Sequence, residues 1–307
     1  MSRTRAWAEL LRLPALFTVP GDAIAGAAAA SATPTPRTLL AVGSSVCLYE
    51  AGMALNDWAD RGEDAVDRPH RPLPSGRIHP DAALAVASAL TGAGLAFAAR
   101  AGRPALTVAA PLAATVWAYD LRLKHTPAGP PAMAAARGLD LLLGAAATSG
   151  HTRKALSSAV LLATHTLAVT AVSRQETRGG SPLAPVAALG TAGLLTRVLT
   201  RAASRLPAGR EQAGAYGPAG DSRATAADAL RLALGAAYAS TVARPYLHAT
   251  LNPSPPLTQR AVSSGIRATI PLQAALAARS GDGASAALFV AALAPLGRRF
   301  AKKVSVT

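Results

Sequence analysis

Asn56-Asp57-Trp58-Ala59-Asp60-Arg61-Gly62-Glu63-Asp64 runs without a gap into Ala65-Val66-Asp67-Arg68-Pro69-His70-Arg71-Pro72-Leu73-Pro74-Ser75-Gly76-Arg77. Asp57, Asp60 and Asp64 are spaced i, i+3, i+7, and on a helix those positions share one face. Carboxylates held on one face repel each other unless a cation sits between them. Hard divalent ions such as Mg²⁺ take oxygen ligands and commonly bridge one or two carboxylates to a phosphate. Asn56 adds an amide that ligates or orients a carboxylate. The proline-rich continuation, with Arg68 and Arg71, reads as a structured anion-handling lid. The plainer alternative is a solvated acidic helix end balanced by nearby arginines.

Outward from this segment, the composition points to a membrane. Of 307 residues 50% are hydrophobic and 15% charged, where ordinary globular chains carry about 25% charge. Much of the apolar content is alanine, which favours bilayer insertion less than leucine or isoleucine does. The argument therefore rests on segments. Apolar stretches near the length of about 20 residues needed to span a bilayer recur at 13–32, 37–56, 80–99, 104–121, 131–149, 154–172, 182–200, 224–243, 260–278 and 284–298. The stretch at 260–278 is the weakest, and about nine spanning helices are expected. The Asp-rich segment closes the second stretch, at a membrane interface, where a lipid diphosphate presents its head to the carboxylates and its tail to the bilayer.

The breaks hold the prolines and arginines, as in Thr126-Pro127-Ala128-Gly129-Pro130-Pro131 and Ala203–Asp221. Proline loses a backbone hydrogen bond in a helix interior, so its clusters mark loops. Small-residue runs such as Gly144-Ala145-Ala146-Ala147 let helices approach closely in lipid. There is no β pattern and no repeat. With the amino terminus inside, Arg12, Arg61, Arg68, Arg71, Arg77, Arg122, Lys124 and Arg174 fall in inside breaks, as the positive-inside bias requires. The basic 201–223 break runs against it.

The net charge is +15. No dense basic run with interleaved aromatics suggests base stacking, so no nucleic-acid partner is expected, and the charge suits an anionic membrane. Cys47, alone, forms no intramolecular disulfide. The start, with Arg3 and Arg5 before an apolar run, reads as a retained first helix rather than a cleaved signal.

The pattern N-D-x-x-D-x-x-x-D over Asn56–Asp64, followed by R-P-x-R-P-L-P-S-G over Arg68–Gly76, resembles the UbiA superfamily of intramembrane prenyltransferases. The resemblance implies an all-α, multi-pass transmembrane bundle of about nine helices around a central lipid-accessible cavity, as one domain over 1–307. It implies Mg²⁺ held by Asp57, Asp60 and Asp64, with Asn56, Arg68 and Arg71 toward a polyprenyl diphosphate. Tyr119-Asp120-Leu121-Arg122-Leu123-Lys124 looks like the family's Tyr-to-Lys segment. There Lys124 neutralises the departing diphosphate, while Arg122 reads better as a membrane anchor. The implied activity transfers a polyprenyl group to an aromatic or other nucleophilic acceptor, with the site on the cytoplasmic side of the cell membrane.

One departure stands out. Family members carry a second Asp-rich motif after the sixth helix. Here Ser173-Arg174-Gln175-Glu176-Thr177-Arg178-Gly179-Gly180 offers one carboxylate, Glu176. Either Arg174 or Arg178 contacts phosphate directly, as guanidinium forks do, with Glu176 as a catalytic carboxylate, or the chain is a catalytically altered membrane component that binds or helps export a lipid or secondary metabolite. Gly21-Asp22, Arg137–Gly144 and Ser173–Glu176 are similar to the EboC-like branch of the superfamily. A soluble all-helical terpene-type enzyme, which also uses Asp-rich helix ends, is the further alternative.

Polar residues inside apolar spans default to functional hypotheses. Glu50 lies seven residues before Asp57, on the same face and about two turns deeper, as a general base in an acceptor pocket or as a structural ion-pair member. Asp22 reads as paired. Arg137 and Asp140 are expected to pair with each other at i, i+3, and His165 to hydrogen-bond between helices. The remaining histidines show no zinc spacing.

Overall fold

The structure is a computed structural model and describes residues 3–175, 181–201, 218–280 and 283–305. Its helices are α1 (Arg3–Leu10), α2 (Pro20–Ala29), α3 (Pro36–Ala59), α4 (Arg61–Asp67), α5 (Pro80–Ala101), α6 (Arg103–Ala118), α7 (Gly129–Ser149), α8 (Leu156–Ser173), α9 (Leu183–Arg201), α10 (Pro218–Leu251), α11 (Pro255–Ala278) and α12 (Ala284–Ser305). No strand occurs among the described residues. The chain is an all-α multi-pass membrane bundle, and the expected count of nine helices is approximate.

Helices α3, α5, α9 and the segment Arg153–Ser173 are long and apolar enough to cross a membrane. Helices α7 and α11 carry buried polar residues, among them Asp140, Ser264 and Gln273. These dilute their hydropathy and mark them as interior helices. Large apolar side chains face outward instead, as with Val160, Leu194, Leu288 and Phe289, which suits a lipid surround.

The expected first span, 13–32, is not one helix. Leu13–Thr18 forms a 3-10 turn and α2 restarts at Pro20. A proline is tolerated in the first turn of a helix but does not continue one, and Pro14 and Pro20 stand at the two starts. Single prolines stay inside α6, α10, α11 and α12. Membrane helices accept this because neighbouring groups re-satisfy the freed backbone.

Close approach decides where α2 and α7 cross. A β-carbon on Gly144 would stand 2.0 Å from the Ala23 carbonyl oxygen, and one on Gly26 1.8 Å from that of Leu141. One apolar cluster joins α7–α12 around Leu141, Leu162, Tyr238 and Leu272, and a second joins α3, α5, α6 and α7 around Leu48, Leu112 and Leu143. A third, with Leu10, Leu55, Leu73 and Ile78, seats the proline-rich loop over the end of α3.

Candidate active site

The carboxylates gather at one end of the bundle, but not on one unbroken helix. Helix α3 stops at Ala59, Asp60 is its C-cap, and α4 starts at Arg61. Asp57 and Asp64, both buried, converge on one guanidinium. Arg71 Nη1 donates to Asp57 Oδ1 at 3.3 Å and to Asp64 Oδ2 at 2.9 Å. Arg12 reaches Asp57 at 3.2 Å, and Arg68 Nε reaches Asp64 at 3.1 Å. Asp60 turns the other way, to an ion pair with Lys124 and to His125 Nε2 at 3.8 Å. The break at Asp60 thus splits the expected face into two branches. Asp60, Glu63 and His125 have ligand atoms within 4.8 Å of one another.

The lid segment folds back over this rim. Ser75 Oγ donates to the Arg71 carbonyl at 2.6 Å, and Arg77 ties the loop to Glu9 at 2.7 Å and to the His70 carbonyl at 2.5 Å.

Tyr119–Leu123 forms a π turn at the end of α6. Such turns recur at functional sites because the extra residue re-aims the side chains beyond it. Here Asp120 points inward and Lys124 points at Asp60, while Arg122 stays exposed. Asp120 is buried, with Lys124, Asp60, Arg12 and Asp57 as its charged neighbours. Arg174, expected on phosphate, donates to the Thr126 carbonyl. This holds the end of α8 beside the Lys124 segment. Glu176 and Arg178 lie outside the described residues.

Below the rim runs a central cavity of about 420 Å³. Asn56, Tyr119, Asp120 and Arg12 line its mouth, and Met53, Val116, Leu112 and Met133 its middle. Ser45, Arg137, Asp140 and His165 line it deeper still. The deep polar residues pair differently from the sequence expectation. Arg137 bonds Asp22 on α2 rather than Asp140 one turn away. Asp140 accepts from Ser45 Oγ on α3, at 2.5 and 2.6 Å to its two oxygens. Gln273 on α11 donates to Asp22 at 2.6 Å and to the Thr18 carbonyl at 2.8 Å. The reason is the crossing of α2 with α7, which brings Asp22 closer to Arg137 than their own helices suggest. His165 is the expected helix-to-helix bridge, to Tyr238 Oη at 3.0 Å and the Gly265 carbonyl at 3.1 Å. Glu50 is buried beside Asp57's face but does not line the cavity, and neither of its carboxylate oxygens has a hydrogen-bond partner.

Sequence reasoning did not assign Arg12, Asp120, Ser45 or Gln273 to the site. Asp120 had a signal, an acid at the very end of an apolar stretch and four residues before Lys124. Ser45 and Gln273 had none, since hydroxyl and amide side chains are common in membrane helices.

Residues 16–210 match the UbiA prenyltransferase family, and the chain belongs to that family. It is 38% identical over 128 residues to digeranylgeranylglyceryl phosphate synthase of Methanopyrus kandleri, a match covering 40% of this chain and 45% of that protein. The chain spans about half the length of the curated relatives it matches. Among solved structures, the UbiA homolog of Aeropyrum pernix K1 superposes with a TM-score of 0.62 at 20% identity, covering 85% of this chain and 96% of that one. The UbiA homolog of Archaeoglobus fulgidus bound to GPP and Mg²⁺ gives 0.61 at 16% identity, covering 94% and 99%. At these identities the likeness is one of fold.

Proposed function

We infer that this chain transfers a polyprenyl group from an isoprenoid diphosphate to a nucleophilic acceptor inside the membrane, with Mg²⁺ as cofactor. One observation carries the reading: a cluster of carboxylates, interleaved with arginines and a lysine, adjoins the Arg12, Asn56 and Asp120 mouth of a cavity with an apolar middle. A diphosphate head on a hydrocarbon tail has the same two-part chemistry.

The donor set suits a hard divalent ion. Asp57, Asp60 and Asp64 offer only oxygen, and they already collect cationic side chains. These residues would hold Mg²⁺, which when bound neutralises diphosphate oxygens that the carboxylates alone would repel. The chain's own groups do the rest. Arg68 and Arg71 swing from carboxylate to phosphate as forked donors. Lys124, with Arg174 on the adjoining helix end, balances the charge that develops on the leaving group. Asn56 orients the head at the cavity mouth, and Glu176 is the remaining acid of the second motif. The carbon–oxygen bond to the diphosphate breaks with its electron pair on oxygen, and the allylic carbon is shielded from water by Met53, Val116 and Leu112. The acceptor's nucleophile bonds to that carbon, and its proton leaves with the diphosphate. The concentration of arginines at this end supports a rim on the cytoplasmic side.

The test is binding of labelled geranylgeranyl diphosphate to purified protein with and without Mg²⁺. Mg²⁺-dependent binding is expected and should be lost in Asp60→Asn. Binding that survives this substitution would count against the site. A second reading rests on the rim carboxylates already being matched by the chain's own cations. It makes the chain a catalytically altered component that binds or helps export a lipid or secondary metabolite. Tight lipid binding without Mg²⁺, and no donor turnover with any acceptor, supports that reading.

A further inference from the structure

A second cavity lies on another side of α11 from the central one. Val262, Ile266 and Thr269 face the central cavity, whereas Arg267 and Pro271 line the base of a groove of about 560 Å³. Helix α11 packs between α10 and α12. Ala237 and Thr241 of α10 form one wall of the groove, and Ala291 and Ala294 of α12 the other. Arg267 is exposed, with neither an ion pair nor a hydrogen bond among the described residues. It stands twelve residues after Pro255, the first residue of α11. That is about 18 Å along the axis, near the middle of a hydrocarbon core about 30 Å thick. Arginines close to helix ends extend to the interface, but one at mid-span needs a partner where it stands.

The charge continues along the groove. Arg260 precedes Arg267 by seven residues and Arg244 follows Thr241 by three, so each shares the groove-lining face of its helix. Both are exposed and without a partner among the described residues. No carboxylate occurs from Ala229 to Ser280, and Asp228 is already paired with Arg231. The groove also has an open end. Leu272–Ala278 is buried throughout, which closes it beyond Pro271. Toward the start of α11, Ser263 and Arg260 on the same face stay exposed. The groove therefore opens to the bilayer leaflet at that end. Pro271 adds an acceptor, because it brings no N–H to the Arg267 carbonyl four residues earlier.

We propose that this groove binds an anionic phospholipid of the surrounding leaflet, with the lipid phosphate on Arg267. A phosphate takes the forked donors of a guanidinium, and basic pockets between transmembrane helices suit lipid head groups. Arg244 and Arg260 draw the anion inward from the interface. A head-group hydroxyl donates to the freed Arg267 carbonyl. The acyl chains lie against exposed apolar side chains such as Leu288, three residues before Ala291 on α12. The occupant is a lipid because the groove opens sideways into hydrocarbon, which a free ion does not enter. The site is separate from the prenyl-transfer reading, since Arg244, Arg260 and Arg267 do not line the central cavity.

The test measures binding of radiolabelled phosphatidylglycerol to the full chain in detergent micelles. Diacylglycerol with the same acyl chains and inorganic phosphate serve as competitors. Phosphatidylglycerol should bind at one equivalent, and neither competitor should displace it, since each offers half of the ligand. Arg267→Gln should weaken binding tenfold or more, and Arg267→Lys, which keeps the charge, should weaken it less. Ala237→Phe, which fills the groove and alters no charge, should also abolish binding. Arg103→Gln, which removes an exposed arginine at the start of α6, should leave it within twofold. So should Asp60→Asn at the rim. The unfolding midpoint of each variant should stay close to the parent's, which separates lost binding from lost folding. The proposal is overturned if phosphatidylglycerol does not bind the parent, if either competitor displaces it, or if Arg267→Gln binds it as the parent does. Loss of binding in Asp60→Asn would place the lipid in the central cavity and overturn it as well. A dimer that Ala237→Phe dissociates would do the same, since a second copy then fills the groove.

Discussion

Two regions beside the cavity hold the same chemical pair, carboxylate and guanidinium, in different surroundings. At the rim, Asp57 and Asp64 meet Arg12, Arg68 and Arg71, whose side chains remain 20–44% exposed. Deeper in the bundle, Asp22 is fully buried and faces Arg137, whose side chain is 18% exposed. Water reaches the rim, so its cations can let go of one anion and take another at small cost. The deep pair cannot be separated without stranding a charge in low dielectric. The rim is built to exchange partners and the deep pair to keep them.

That contrast can be broken by substitution. The largest effect is expected at the deep pair. Arg137→Met strands Asp22 and should destabilise the protein by about 3–5 kcal/mol, read as the unfolding midpoint in mixed detergent micelles. Adding Asp22→Asn should restore most of the loss, because the pair is then removed together. The crossing that brings the deep pair together comes next. Gly144→Val places atoms against the Ala23 carbonyl and should cost about 1–3 kcal/mol by overpacking in the same measurement. At the rim, Arg71→Gln should leave the unfolding midpoint nearly unchanged but weaken Mg²⁺-dependent donor binding about tenfold, about 1.4 kcal/mol. If Arg71→Gln destabilised the fold as much as Arg137→Met, the distinction between the two regions would fail. The smallest effect belongs to the half-exposed Arg77–Glu9 pair that ties down the lid. Glu9→Gln should change stability by less than about 1 kcal/mol.

The same contrast explains what could be read early. The rim was legible because its carboxylates and arginines lie in one short segment: Asp57, Asp60 and Asp64 at helical spacing, then Arg68 and Arg71. Lys124 came from the resemblance of Tyr119–Lys124 to the family's Tyr-to-Lys segment. The kink at Asp60 was not legible, since helical spacing fits an unbroken helix equally well. It turns Asp60 toward Lys124 while Asp57 and Asp64 close on Arg71. Deeper in the bundle the local rule misled. Arg137 and Asp140 sit at i, i+3, but Arg137 takes its partner from α2 and Asp140 from α3.

By itself, the sequence determined the membrane-spanning all-α class, the family, and the carboxylate segment at a helix end. The class follows from composition and run length and the family from the resemblance of its motifs, all of them local along the chain. The tertiary structure alone decided which carboxylate meets which cation, that Glu50 stays out of the cavity, and that Ser45, Arg137 and Asp140 line it together. These depend on how closely α2, α3 and α7 approach. That distance is set by small residues such as Gly26 and Gly144 packing against backbone, and contacts between segments more than a hundred residues apart leave no periodic trace in the chain.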